Sequence, residues 1–479
     1  MFDEEENDDF NLGEELEQMQ HLVSRFEGLQ AGRIGTFLDE EAFEKLIDYF
    51  QENDYTAKAN DAVELGLQFF PKSASLLIRK ADLLLVARKY LDCLAVLEEV
   101  EILDQSDINL YILQTDAYLA IDQQEKAVQV LEKALTMFEG AEKIDLLFEL
   151  ADVYDDYEEF DKVFDCLQMV LDAEPTNEEA LYKICFWADF TGRNEESIQL
   201  HKNIIEKLPY SELAWFNLAC AYQGLKLYEK AIDAYEYCIS IDEKFEYAYR
   251  NMGDAYIRLR KYKDAIEVLQ KVLSLTRPED VIYEAIGHCF DRMNNYAQAR
   301  FHYRKASHLN PEDSKLNYKI ALTYMQEGQY VPAVKQLEHA MRIHKGNADY
   351  NMAMGECKLQ LEQYEEAVFY FSSAIKHRPK NTAAWEALIE SLYKLTQFEE
   401  ASRQCERAYL ATDRKPIFIY LQSACLLQMS QSKQAILLLE QAIELAPKLV
   451  KKFIDLNPAV LQYGSVVDVL ARYKKNKKI

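Results

Sequence analysis

The residues of this 479-residue chain that could do chemistry are its nine cysteines, eight histidines and 82 aspartates and glutamates. Cysteine could supply a nucleophile or a zinc ligand, histidine a base or a metal ligand, and a carboxylate pair an acid with a base. Spacing speaks against each. No Cys-x-x-Cys occurs and the cysteine count is odd, so neither a zinc ribbon nor a disulfide framework is encoded, and reduced thiols are expected. His302 with His308, and His339 with His344, miss the i, i+4 interval that places two ligands on one helical face. Carboxylates are so numerous that no catalytic pair stands out. The reading is no enzyme, no cofactor and no metal site.

Charge narrows the partners. Lysine and arginine number 54 against 82 acids, a net charge of -28 that repels nucleic acid phosphates and favours basic or neutral polypeptides. The opening "MFDEEENDDFNLGEELEQMQ" carries nine acids and no base, the reverse of a secretion signal. No window approaches the roughly 18 apolar residues of a membrane span. A soluble, cytoplasmic chain is expected. With 49% hydrophobic residues but only 14 Gly and 10 Pro, the composition suits a long helical protein.

The elements that must position these residues repeat. The stretch "AWFNLACAYQGLKLYEKAIDAYEYC" (214–238) returns every 34 residues, with unit starts at 40, 74, 108, 144, 178, 212, 246, 280, 314, 348, 382 and 416. One two-residue insertion, near "FEGAEK", interrupts the register. Within each unit two apolar blocks at three- and four-residue spacing predict two amphipathic helices, A and B. Unit position 20 is Ala59, Ala127, Ala231, Ala265, Ala299, Ala333, Ala367, Ala401 and Ala435, completed by Cys93, Val163 and Ser197. Small residues there let two helix backbones approach, and overpacking such a crossing costs about 1–3 kcal/mol. Position 8 is also small, as in Ala81, Ala219, Gly253, Gly287 and Gly355, while Phe43, Tyr111, Trp215 and Trp385 at position 4 fill volume. Pro71, Pro175, Pro209, Pro311, Pro379 and Pro447 at position 32 end helix B. Cys93, Cys185, Cys238, Cys405 and His201 all fall on core positions, where they read as packing residues.

Small residues at 8 and 20, aromatics at 4, 11 and 17 and proline at 32 resemble the tetratricopeptide repeat (TPR) family, in about twelve tandem repeats over 40–449. The resemblance implies an all-α, right-handed α-solenoid (superhelix) of antiparallel helix pairs with terminal capping helices, and a concave groove lined by helix A. Residues 1–12 read as an acidic, disordered tail. Residues 13–39 read as an N-terminal capping helix and connector, with Leu16, Met19, Leu22, Val23, Phe26 and Leu29 on one face. Residues 450–479 read as C-terminal capping helices and a basic tail: the segment begins like a thirteenth helix A, breaks at Asn457-Pro458 and ends with Lys474, Lys475, Lys477 and Lys478.

Positions 2, 5, 9, 12 and 13 of helix A then face the groove. Position 9 is Asp48, Asp82, Asp116 and Asp152 in four successive units, an aspartate ladder suited to a basic or donor-rich segment or to pairing with neighbouring helices. Tyr182, Phe186, Phe190 and Phe216 follow as a candidate anchor pocket, with inter-repeat packing as the alternative. Arg250, Asn251, Asp254 and Arg258, then Glu284, His288, Asp291 and Arg292, form a mixed-charge face for polar peptide contacts or internal salt bridges. In the chaperone-binding TPR subset a C-terminal carboxylate is clamped by basic and asparagine side chains. Arg250, Lys315 and Lys319 match that set, whereas Asp254 and Ala285 do not, and an aspartate there repels a carboxylate. The expected function is a scaffold that binds peptide or helical segments of partner proteins, with self-association or carboxylate-peptide binding as alternatives.

Overall fold

The computed structural model describes residues 3–31 and 37–476, with side chains at 17–31 and 37–473. It is 80% helical, and no strand occurs among the described residues. Contacts divide the chain into two units, Met1–Ile241 and Asp242–Ile479.

The first unit opens with α1 (Asp3–Gln30) and continues in pairs. These are α2 (Glu40–Glu52) with α3 (Thr56–Phe69), α4 (Ala74–Val86) with α5 (Tyr90–Leu103), and α6 (Ile108–Ala120) with α7 (Gln124–Leu135). Next come α8 (Ala141–Asp156) with α9 (Phe160–Ala173), α10 (Glu178–Phe190) with α11 (Asn194–Lys207), and α12 (Glu212–Gly224) with α13 (Tyr228–Ile241). The second unit starts with α14 (Glu246–Arg258) and α15 (Tyr262–Leu275), α16 (Asp280–Arg292) and α17 (Tyr296–Leu309), and α18 (Ser314–Gln326) and α19 (Tyr330–Ile343). It ends with α20 (Ala348–Gln360) and α21 (Tyr364–His377), α22 (Thr382–Lys394) and α23 (Phe398–Ala411), α24 (Ile417–Gln428) and α25 (Ser432–Leu445), then α26 (Val450–Leu456) and α27 (Gly464–Asn476).

Within each unit every helix packs on the next, and consecutive A helices also touch one another, the pattern of an all-α solenoid. The 34-residue register sets the first residue of every A helix except two. α8 starts early, at Ala141, because the insertion supplies Gly140 (φ +65°) as a turn ahead of it; α24 starts one residue late because Pro416 takes its N-cap. In eight of the other ten A helices, all but α14 and α16, the residue before the helix caps it: Asp39, Ser73, Asp107, Asn177, Ser211, Asp313, Asn347 and Asn381 each accept a backbone N–H.

The small-against-large arrangement is literal. All nine alanines at position 20 have no exposed surface. A Cβ added to Gly287 would come within 2.7 Å of the Tyr303 ring, and one on Gly355 within 2.6 Å of Phe371, so these two crossings accept only glycine without shifting the ring. The turn from A to B passes through the left-handed region at Asp54, Arg88, Lys226, Arg260 and Ser430, and at Gly192 and Gly328. Only glycine adopts that conformation without cost, and few of the turns use it.

At the N-terminal end α1 runs from Asp3 to Gln30 and takes in most of the stretch expected as an acidic tail. Further along it, Phe26 is buried 5.8 Å from the Phe50 ring, with Leu22, Val23 and Leu29 around it. At the other end α26 does not continue the stack as a thirteenth A helix. It packs on α24, while Pro447–Leu449 and α27 pack on α25, and Asn457 caps the short 3-10 helix Pro458–Gln462 between them. Val460, Val466 and Val469 are buried there, and Leu461 and Val467 are exposed. The lysines from 474 onward lie outside the described side chains.

Candidate functional site

Positions 5, 9 and 13 of helix A lie along one side of the helix, and in α10 all three are exposed. In the first unit that side carries two features in succession. The first is the aspartate ladder, which is not uniform. Asp48 accepts two hydrogen bonds of 2.9 Å from the Arg79 guanidinium, and Asp82 accepts one of 2.6 Å from the Gln51 amide. Acid then accumulates. Burial and the charge of Asp82 raise the carboxyl of Asp116 above its usual range, and burial with Asp116 and Asp152 does the same to Glu149. Neither forms an ion pair among the described residues. Burial, with help from Asp82 and Asp116, pushes the nearby Cys93 thiol up to about 11, which keeps it protonated and unreactive.

The second feature is an aromatic stripe on α10. Tyr182, Phe186 and Phe190 are 61%, 60% and 58% exposed, at a four-residue spacing that lines them along one face. Phe186 stacks on Phe190 at 5.7 Å, and Trp187 stacks on Phe160 at 5.3 Å, with Phe160 edge-on to Phe190 at 4.9 Å. Phe160 and Trp187 thus belong to the patch, although sequence reading assigned no site role to either. Their signal was weak: Phe160 is at position 17, which is aromatic in most repeats and reads as core, and Trp187 is at position 10, outside the groove-facing set. Lys183 links stripe and ladder, since its ammonium lies 5.1 Å from the Phe148 ring, 2.9 Å from Glu179 and 3.8 Å from Asp152. Phe216 is not part of the stripe. It is half-buried, 5.9 Å from the Tyr235 ring, and packs within its own repeat because position 5 of α12 leans toward α13.

Beneath the stripe a buried polar network holds α10 in place. Asn217 of α12 donates to the Leu181 carbonyl at 2.7 Å and lies 3.2 Å from Nε2 of His201, whose Nδ1 is 2.7 Å from the Ser197 carbonyl. Burial lowers the His201 pKa to about 4, so the ring is neutral, donating from Nδ1 and accepting at Nε2.

The mixed-charge face of the second unit is largely spent on itself. Arg250 pairs with Glu279 of the following repeat at 2.8 Å, Arg258 with Asp254 at 3.4 Å, and Lys319 with Glu284. Two of the three cations matched to a carboxylate clamp are therefore already neutralised; Lys315 is exposed. Asn251 and Asp254 hold contacts within the fold. His288 is half-buried with its pKa lowered by burial and by Lys319, and lies 6.5 Å from the Tyr262 ring.

At the end of the second unit the inner face is closed by the chain itself. Phe453 of α26 is fully buried with its ring 6.1 Å from Tyr420. Lys452 reaches Glu386 of α22 at 2.6 Å, and Asn457 donates to the Tyr393 hydroxyl at 2.8 Å. With α23 and α25 packed on its other sides, ten of the twelve residues of α24 are buried.

Among the described residues no cluster of three His, Cys, Asp or Glu could hold a metal ion, and no helix is long and apolar enough to cross a membrane. Residues 193–351 match the model of the tetratricopeptide repeat protein 21 C-terminal ARM domain, and residues 358–425 match a tetratricopeptide repeat model. Both models describe tetratricopeptide repeat proteins, in agreement with the paired helices of the fold. No curated protein matches it. Similar solved structures include YrrB, a TPR protein with an unusual peptide-binding site, at 21% identity over 39% of this chain and 96% of YrrB, with a TM-score of 0.35. The C-terminal part of a TPR repeat-containing protein from Cytophaga hutchinsonii matches at 16% identity over 50% of this chain and 99% of its own, with a TM-score of 0.45. The APC/C hetero-tetramer Cut9-Hcn1 matches at 13% identity over 86% of this chain and 94% of its own, with a TM-score of 0.35. The matched TPR models support a protein-interaction scaffold.

Proposed function

We propose that this TPR protein is a non-catalytic scaffold that holds segments of partner proteins on the inner faces of its A helices, and that the stripe on α10 is its main anchor. One observation carries the reading: three large aromatic side chains are about 60% exposed on one helical face. Leaving such rings in water forgoes roughly 25 cal/mol for each Å² that a partner would cover. The adjoining carboxylates of Asp116, Glu149 and Asp152 favour basic segments, and the net charge of -28 disfavours nucleic acid. Nine free cysteines, most of them buried, suit a reducing compartment such as the cytoplasm. The charged residues around Arg250, His288 and Lys319 serve as internal ion pairs and a polar rim rather than as a carboxylate clamp.

The test compares the full chain with a Tyr182→Ala, Phe186→Ala, Phe190→Ala variant in two measurements. Crosslinking in native extract followed by mass spectrometry should place partner crosslinks beside α10 in the wild type and lose them in the variant. Sedimentation should show a monomer for both proteins over a wide concentration range. Partner crosslinks unchanged by the triple substitution, or a wild-type dimer that the variant abolishes, would overturn the reading, the second outcome because a second copy then covers the stripe.

A further inference from the structure

We infer that the segment taken up by α10 is a short amphipathic helix with lysine or arginine just ahead of an aromatic anchor, on the pattern of the chain's own α26. The inference rests on the scaffold reading above and adds the form and chemistry of the bound segment. Three observations support it.

The first is that the molecule shows what covers an apolar inner face. α26, of sequence VKKFIDL, lays Phe453 against Tyr420 of α24 and sends Lys452 back to Glu386 on the preceding A helix, α22. Seven steps of 34 residues carry Tyr420 onto Tyr182, α24 onto α10 and α22 onto α8. The tyrosine that meets Phe453 in one place stands open in the other.

The second is charge at the corresponding side. The register places Phe148 where Glu386 stands, and Glu149 follows it directly, with Asp152 about one turn beyond. Glu149 is partly buried beside Asp116 and Asp152, burial first and those two charges second raise its pKa, and it forms no ion pair among the described residues. An incoming cation would pair with Glu149, as Lys452 pairs with Glu386.

The third concerns the backbone. The A helices satisfy their own peptide groups, so the stripe offers no N–H or C=O ladder to an extended strand. A bound segment must satisfy its backbone internally, and a helix laid along Tyr182, Phe186 and Phe190 does so while facing rings that span about 12 Å.

The probes are three fluorescein-labelled synthetic peptides measured by anisotropy against the full chain. The first is an amphipathic helix with Phe and Leu on one face and Lys on the other. In the second Glu replaces Lys, and in the third a central Pro breaks the helix. The Lys helix should bind, with the Glu and Pro versions each about tenfold weaker or more, and the uncharged substitutions Tyr182→Ala and Phe186→Ala should weaken it about tenfold. Circular dichroism of the variant checks that the fold is kept. Glu or Pro peptides that bind as tightly as the Lys helix, while still depending on Phe186, would overturn this inference and leave the scaffold reading standing. Binding that ignores Tyr182 and Phe186, or no binding by any of the three, would remove both.

Discussion

Tyr182 and Tyr420 hold the same place in the 34-residue register, seven repeats apart, and one ring is 61% exposed while the other is fully buried. The difference is the chain that lies over them. α24 is packed between α23 and α25 and covered in addition by α26, and ten of its twelve residues are buried, whereas only Ala180, Leu181, Ile184 and Ala188 are buried in α10. An apolar A-helix face therefore has two stable outcomes in this molecule. It is closed from within and contributes to stability, or it is left open and available to a partner.

The largest test of that contrast is to truncate the anchor on each side. Phe453→Ala should destabilise the second unit by about 3–5 kcal/mol, as expected for a buried aromatic, in chemical denaturation followed by hydrogen exchange. Phe186→Ala should cost less than about 1 kcal/mol, because its ring already faces water. Equal costs would mean that the two faces do not differ in cover.

Acid should separate the two regions next. His201 lies under α10 with a folded pKa of about 4, below the usual 6.5. The unfolded chain thus binds a proton that the fold rejects, so stability is full above pH 6.5 and falls as pH drops from 6.5 toward 4, by about 3 kcal/mol in all. His201→Gln should flatten the slope in that window, and an unchanged slope would place the titrating group elsewhere. A smaller effect belongs to the acid wall. Asp116→Asn with Glu149→Gln should raise stability at pH 7 by about 1 kcal/mol, since the raised pKa of each acid marks an ionised form the fold disfavours. The gain should vanish as pH falls below the ordinary carboxylate range; a net loss at pH 7 would show that the two carboxylates are satisfied.

The smallest effect concerns the turns that follow the two helices. Gly192 after α10 and Ser430 after α24 both have positive φ, at 75° and 61°. Ser430→Gly should add about 0.5 kcal/mol and Gly192→Ala should remove about 1 kcal/mol in thermal unfolding. The same sign for both would show that φ does not set their stability.

Most of the fold was legible because packing of small against large side chains repeats with the backbone, so Ala231 and Ala299 announce a helix crossing wherever they recur. The aromatic stripe was legible in part. Position in helix A exposes Tyr182 and Phe186, but Phe216 at the same position turns inward, a tilt that spacing alone does not encode. Phe160 was missed because it joins the patch through space, from α9 and a position shared with core residues, and Trp187 because its place in α10 falls outside the positions read as facing the groove. The cover over α24 was hidden for a related reason. A segment that reads like another A helix folds back because Asn457 and Pro458 end it early, and only the structure shows which face it then meets.

The most direct measurement is hydroxyl-radical footprinting of the full chain, with mass spectrometry resolving single residues. Tyr182, Phe186 and Phe190 should be modified heavily in the free monomer and become protected when a partner segment binds, while Tyr420 and Phe453 stay protected in both states. Strong protection of the α10 rings in the free monomer, or labelling of Tyr420 and Phe453 equal to theirs, would contradict the division into an open face and a closed one.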